Sequence, residues 1–377
     1  MRWKRTVAMM RKEAIQILRD PRSLTIVFVM PIVLMLVFGY GVSLDIQHIA
    51  TCVFDRDNTP QSRDLIARFR ASPYFNVVES ADNYRELTRA IDAGRARLAI
   101  VIPPDFARRL SEGGTVPVQA IVDATDDNTA NLGINYSEGV IRAFSNQVQL
   151  DWRERNGLPP ASPVLRVDER TWFNEDLESS VFIVPAVIAI VMAVVGTFLT
   201  SLTIAREWER GTMEQLISTP VTPLEILVGK LVPYFVIGMA DTALCASMAV
   251  NWFGVEFHGS WTVLFLSTAL FLVAVLTLGY FLSVVAKSQL AASQLALVTT
   301  FMPAFLLSGF LFPIEQMPAA LQWITHVIPA RYYVTLVKAL FLKGAPAAWL
   351  RPQLEALAIF ALVLGAAATT IFHKRLD

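Results

Sequence analysis

The chain has 377 residues, of which 32 are basic, 32 are acidic and 54% are hydrophobic. That apolar content is too high for an ordinary soluble domain. Zero net charge says little about partners, although the distribution of charge says more; no nucleic-acid partner is expected. The two cysteines, Cys52 and Cys245, fall in different segments and form neither a disulfide framework nor a metal-binding spacing.

Residues 1–23 read as an amphipathic helix lying on a membrane surface. Trp3, Val7, Met10, Ala14, Ile17 and Leu18 make an apolar stripe at helical spacing, and Lys4, Arg5, Arg11, Lys12 and Arg19 lie off it, where they suit anionic headgroups. Asp20-Pro21 ends this helix. Six segments are then long enough to cross a bilayer core of about 30 Å, which takes roughly 20 helical residues. They run over Leu24–Ser43, Ser180–Ala205, Lys230–Asn251, Trp261–Ala286, Leu290–Phe312 and Gln353–Phe372. The first is longer than a signal-peptide core and no small-x-small site follows it directly, so it is read as an uncleaved anchor.

Seven basic residues (Arg2, Lys4, Arg5, Arg11, Lys12, Arg19, Arg22) precede the first span, and Lys374 and Arg375 follow the last. By the positive-inside rule both termini are expected in the cytoplasm, in agreement with an even number of spans. Arg331, Lys338, Lys343 and Arg351 point the other way, but the first helix usually dominates orientation.

Residues 44–179 form the one soluble segment, expected to be an extracytoplasmic α/β domain. Strands are predicted over Ile49–Phe54, Tyr74–Glu79, Arg97–Ile102, Val116–Val122 and Val164–Phe173, with helices over Gln61–Ala71, Tyr84–Ala93 and Asn128–Arg155. This segment has 21 acidic residues against 15 arginines and no lysine, a net charge of −6. Asp123, Asp126 and Asp127 are its densest acidic spot. They read either as helix-capping acids or as a cation site, with capping the commoner role of aspartate.

The fold class is thus an α-helical membrane protein with an amphipathic surface helix, six spans and an α/β insertion between the first two. Pro31, Pro185, Pro233 and Pro303 lie inside spans and are hinge candidates, although proline kinks also occur in static bundles. Asp241 is the one clear acid deep in a span. It reads either as a contact for a cationic substrate or proton, or as a structural acceptor for a nearby Thr or Tyr. Gly279, Gly309, Ala291, Ala292 and Ser293 allow close helix approach, within one chain or between two. Residues 313–352 hold two short external helices, Ile314–Ile328 and Tyr332–Leu342, too short to cross and expected on or dipping into the outer face.

Between spans two and three lies a charged island, 206–228. Glu207, Arg210 and Glu214 stand at i, i+3 and i+7 and are read as one face of a helix, with Trp208, Met213, Leu216 and Ile217 opposite. Thr219-Pro220 stops it, and Thr222-Pro223-Leu224-Glu225 reads as a helix start with a capping box. No P-loop, H-E-x-x-H or nucleophile–base arrangement is found in the sequence. The residues alone leave three readings: a permease driven by another subunit, an ion-gradient transporter acting alone, and a membrane-anchored interaction protein.

The run Ala205-Arg-Glu-Trp-Glu-Arg-Gly-Thr-Met-Glu-Gln-Leu216, Thr219-Pro220 and Glu225-Ile-Leu-Val-Gly-Lys230 resembles the signature of ABC-2 type transporter permeases. So do Lys12-Glu13, Arg19-Asp20-Pro21, Trp172-Phe-Asn174, Leu307-Ser-Gly-Phe310 and Ile328-Pro-Ala-Arg-Tyr-Tyr333, so that the resemblance covers essentially the whole chain. It is similar to bacterial multidrug-export permeases with a periplasmic insertion. The resemblance implies an inner-membrane subunit without a cofactor of its own, paired with a separate ATPase that binds ATP and Mg. It further implies a second permease copy or paralogue and a possible periplasmic membrane-fusion adaptor. Carried over, Arg206, Glu207, Glu209, Arg210, Gly211, Thr212 and Glu214 would couple ATPase closure to spans two and three. The substrate is not fixed by the resemblance.

Overall fold

The computed structural model describes residues 3–42, 48–157 and 179–371. The predicted strand Val164–Phe173, the Trp172–Asn174 motif and the basic tail at Lys374 and Arg375 lie outside the described residues. Two compact units are present: Met1–Ser43 with Thr171–Asp377, and Leu44–Arg170.

The first unit opens with α1 (Trp3–Leu18), whose buried residues are Thr6, Met9, Glu13 and Ile17. This inward face, spaced three and four apart, is half polar, and apart from Ile17 it is not the apolar stripe read from the sequence. Trp3, Val7 and Leu18 of that stripe point outward, 70%, 40% and 69% exposed. After Asp20 the chain continues through α2 (Pro21–Leu24), a π-helical turn at Thr25–Val29 and α3 (Met30–Gly41). Pro31 sits at the start of α3, straight after the π turn. A proline donates no hydrogen bond and crowds the carbonyl four residues back; the wider π turn makes room for both defects.

In the second unit β1 (Ile49–Asp55), α4 (Pro60–Ala71), β2 (Phe75–Ser80), α5 (Tyr84–Asp92) and β3 (Leu98–Ile102) follow one another. Then come a short helix not expected from sequence, α6 (Phe106–Ser111), β4 (Gln119–Val122) and the long α7 (Asp127–Arg155). The sheet order is β2-β1-β3-β4, with β1 parallel to β2 and β3, and β4 antiparallel to β3. Side chains alternate across the sheet. Leu98, Ile100 and Ile102 of β3 join Ile49, Leu65, Phe69, Phe106 and Phe144 on one face, and Ala99 and Val101 join Cys52, Phe54 and Leu87 on the other.

The acidic cluster of this unit is accounted for locally. Asp123 accepts from Thr125 N–H (3.0 Å) and from its hydroxyl (2.6 Å), and the Thr129 hydroxyl donates to Asp126, the N-cap residue of α7. These bonds hold both carboxyls below their usual range, the side-chain bonds from Thr125 and Thr129 acting most strongly. Among the described residues no group of three or more His, Cys, Asp or Glu side chains is arranged for a metal ion. Cys52 and Cys245 are both buried and free.

The rest of the first unit is a helix bundle built on α8 (Ser179–Glu209), whose apolar window is 83% buried. Around it stand α9 (Met213–Ser218), α10 (Pro223–Asn251), α11 (Trp261–Ala286) and α12 (Gln289–Ala296). A second π turn, Leu297–Phe301, leads from α12 into α13 (Met302–Leu307), with Pro303 again just after it. Pro185 and Pro233 lie inside the unbroken helices α8 and α10. The short α14 (Ala319–Thr325), α15 (Pro329–Lys343) and α16 (Arg351–Ile371) complete the unit.

Among the described residues five helices are long and apolar enough to cross a membrane, ending with Arg351–Thr370, whose window is only 11% buried. The expected first span is a shorter apolar helix, Thr25–Gly41. The region 313–352 also divides unevenly. In α14, Trp323 and Ile324 are 76% and 51% exposed, whereas α15 inserts Tyr333, Leu336, Val337, Leu340 and Phe341 into the bundle core. Too short to span, α15 is nevertheless a core element. Of the small residues singled out, Gly279 meets α8 within the chain: a Cβ there would lie 2.5 Å from the Thr197 carbonyl oxygen. Gly309 serves a turn instead, with φ at +79°.

Candidate functional site

The charged island gathers at one end of the bundle, where α1, α8, α9 and α10 meet. Here α8 ends at Glu209 and α9 starts at Met213, so Glu207, Arg210 and Glu214 do not share one continuous helix. Gly211 is the reason, because its φ of +68° is a left-handed conformation that breaks the helix. Placing valine there (Gly211→Val) is expected to destabilise the protein by about 1–2 kcal/mol, read as a lower unfolding midpoint in detergent. Nothing lies within 4 Å of a Cβ at this position, so the cost would be backbone strain rather than a clash.

The break turns some side chains inward. Glu207, 4% exposed, accepts from Lys12 Nζ (2.7 Å) and Lys230 Nζ (3.1 Å), and the Thr212 hydroxyl also donates to it. Lys230, fully buried, donates in addition to Glu13 Oε2 (3.1 Å) and to the Thr203 carbonyl (3.4 Å). The Tyr234 hydroxyl donates to Glu13 Oε1 at 3.0 Å. Two carboxylates and two ammonium groups thus balance, which is the condition for tolerating buried charge. Beside them Arg206, 7% exposed, pairs with Asp20 at 3.2 Å. Burial raises the cost of any misfit, so this set fixes α1 in one register on α8 and α10. Close approach is possible because residue 229 is glycine; a Cβ there would lie 2.6 Å from Met9 Cγ.

Other members of the island face outward. Glu209, Arg210, Gly211 and Glu214 are exposed. Glu209 accepts from the Gln289 backbone N–H at 2.7 Å and from its side chain, tying the end of α8 to the first turn of α12, where a negative charge is favoured. Met213 and Leu216 of α9 are buried with Met9, Ile204, Ile226, Leu227 and Tyr280. The capping box at Thr222 forms as expected: Glu225 N–H donates to Thr222 Oγ1 (3.3 Å), and Thr222 N–H to Glu225 Oε2 (2.9 Å). The Arg5 guanidinium donates to the Pro220 carbonyl, linking α1 to the break between α9 and α10. The island is therefore a rigidly braced turn with a charged outer surface.

Asp241 lies deeper on α10, 2% exposed, in a void of about 10 Å³, near the least that admits one water. Its Oδ2 has no hydrogen-bond partner among the described residues, and neighbouring Thr242 donates to the Gly238 carbonyl instead. Tyr234 lines the same void, so one side chain touches both Glu13 and the surroundings of Asp241.

From the sequence Glu13 and Lys230 stand out only as members of family-like motifs, Asp20 also as the end of the surface helix, and Tyr234 not at all. Lys230 carried a signal in being a charge seven residues inside the helix that begins at Pro223, where a surface lysine has little reason to sit. Glu13 was a lone acid among the bases of α1.

The bundle and its inserted α/β unit define a polytopic helical membrane protein with a charged, braced turn at one end. Residues 22–370 match the model of the ABC-2 family transporter proteins. The chain is 40% identical over 343 residues to the Escherichia coli (strain K12) protein named "Probable multidrug ABC transporter permease YbhS", covering 91% of this chain and 89% of that one. It is 28% identical over 371 residues to "Probable multidrug ABC transporter permease YbhR" of the same organism, covering 97% and 98%. To "Inner membrane transport permease YhhJ", also from that strain, it is 30% identical over 334 residues, covering 87% and 84%. The chain belongs to the ABC-2 transporter family.

Proposed function

We propose that this permease exports hydrophobic or amphipathic, drug-like compounds, energised by a separate ATP-binding-cassette subunit that carries ATP and Mg. The observation that carries the reading is the braced turn at 209–222. Its exposed charges sit on a scaffold tied into α1, α8, α10 and α12, so a push at the turn is transmitted to several spans together. The names of the relatives support the substrate class and the inner-membrane location. Two permease copies, or this chain and a paralogue, form the pathway with two ATPase subunits.

In this reading Thr25–Gly41, extended at its start by α2, is the first of six spans, both termini are cytoplasmic, and the α/β unit is periplasmic, where an adaptor protein would meet it. Exposed aromatic side chains support the outer boundary: Tyr40, Trp252 and Trp261 stand at the ends of α3, α10 and α11 away from the charged turn, with Trp252 Nε1 donating to Tyr40 Oη at 2.9 Å, as in an interfacial belt. Arg210 and Glu214 are the direct ATPase contacts, while Arg206, Glu207 and Thr212 act from inside by holding the turn. Prolines 31, 185, 233 and 303 are the hinges.

The test is co-purification and export. The ATPase is expected to co-purify with the wild-type chain, and Arg210→Glu with Glu214→Lys is expected to lower ATP-dependent export into inverted vesicles about tenfold or more, the loss of roughly one to two interfacial charge contacts. Unchanged export in the double variant, or a wild-type chain that binds no ATPase, would count against the reading. The unpartnered oxygen of Asp241 favours a second role at that residue, contact with a cationic substrate or proton. Asp241→Asn is then expected to change the pH dependence of export, and an unaltered profile would leave Asp241 a structural residue.

A further inference from the structure

A recess of about 350 Å³ opens where the C-terminal half of α1 meets the last turn of α8. Four cations line it, Lys12, Arg19, Arg206 and Arg210, against the single carboxylate of Asp20. Two of the cations are already engaged, Lys12 with Glu207 and Arg206 with Asp20. Arg19 and Arg210 are exposed and have no side-chain partner among the described residues. The Arg206 side chain, 8% exposed and held by Asp20, lines the same recess as a fixed guanidinium. The lip of the recess is apolar: Ile15 and Pro21 line it, and Ile15 and the adjacent Leu18 are 41% and 69% exposed.

Cations alone would suit any anion. The combination of an unsatisfied basic recess with an exposed apolar lip, on a helix beside membrane spans, suits an anion joined to an apolar body. Guanidinium groups match phosphate oxygens with paired, directed hydrogen bonds, and three of the four cations are arginines. We infer that this recess is a discrete site for the phosphate of an anionic phospholipid, whose glycerol and upper acyl carbons rest on Ile15 and Leu18. The bound phosphate bridges Arg19, at the end of α1, to Arg210, in the turn after α8. The site stands whether or not the turn is the ATPase contact, because it needs only the membrane placement of the bundle.

The experiment is native mass spectrometry of the full chain in detergent, titrated with phosphatidylglycerol, phosphatidylcholine or inorganic phosphate. One phosphatidylglycerol is expected to be retained in preference to phosphatidylcholine, and inorganic phosphate is expected not to displace it. Arg19→Ala with Arg210→Ala is expected to weaken retention about thirtyfold, at roughly 1 kcal/mol per cation near a lipid surface. Lys4→Ala with Arg11→Ala removes the same charge from exposed positions of α1 outside the recess and is expected to leave retention unchanged. Equal loss in the two double variants would overturn the site in favour of diffuse attraction. Displacement by inorganic phosphate would make it a free-anion site, equal retention of phosphatidylcholine would remove the charge argument, and loss of the lipid on adding the ATPase would make the recess a protein-contact surface. All four changes are at exposed side chains, and an unchanged unfolding midpoint shows that each variant is folded.

Discussion

Replacing Lys230 by methionine is expected to destabilise the protein by about 3–5 kcal/mol, the range for breaking a buried ion pair by removing one partner. The size comes from what is left behind. Glu13 and Glu207, 1% and 4% exposed, both lean on the one ammonium group, and Lys12, half exposed, reaches only Glu207. Without Lys230, Glu13 keeps the Tyr234 hydroxyl but has no cation. The measurement is the unfolding midpoint of the purified chain. Adding Glu13→Gln to Lys230→Met is expected to restore part of the loss, since the pair then leaves no uncompensated charge. If the single variant melts like the wild type, the network is not a structural lock; if the double variant is worse than the single, the charge explanation is wrong.

Gly279→Leu is expected to cost about 3 kcal/mol or more, at the upper end for overpacking, and to lower the yield of folded protein. A Cβ at 279 would lie 2.1 Å from Thr200 Oγ1, 2.5 Å from the Thr197 carbonyl oxygen and 3.0 Å from the Thr197 Cα. Two of those three atoms are backbone and cannot swing away. Helices α8 and α11 would have to part, and one turn further on Ser283 Oγ would lose the N–H groups of Ile204 and Ala205, both now at 2.9 Å. Gly365 on α16 provides the comparison, because nothing lies within 4 Å of its Cβ position. Gly365→Ala is expected to be neutral or slightly stabilising through helix propensity alone. Equal effects at the two glycines would show that close approach at Gly279 does not hold the bundle together.

The long apolar helices were legible because a run of 20 or more apolar residues has few other uses. The β1 and β3 positions were legible as short apolar runs, α4 from its amphipathic pattern, and the Thr222–Glu225 box from its spacing. What was missed has a common cause. Periodicity reports which residues share a face, but not what that face meets. On α1 the eye follows Trp3, Val7 and Leu18, yet the face that enters the bundle carries Thr6 and Glu13. In the island, the spacing of Glu207, Arg210 and Glu214 fits a helix, and a single glycine in a left-handed conformation overrides it. The depth of α15 is a tertiary fact as well: its 15 residues are too few to span, and only the neighbours α8, α11 and α16 make it a core helix. At the candidate site, the exposed charges were the readable part. The buried partners that hold them come from segments too distant in the chain for local patterns to connect.

That distance has a consequence for how the protein is made. Glu13 and Lys230 are 217 positions apart, so the carboxylate near the start of the chain is synthesised long before its cation. Until α10 emerges, α1 can reach α8 through Lys12–Glu207 and Asp20–Arg206, but Glu13 has no ammonium group to meet. Its final seat is completed only by α10, so docking of the first helix waits until the α/β unit and α8 have been made. A nascent chain stopped before residue 230 should leave α1 open to protease, and one extended past α10 should protect it.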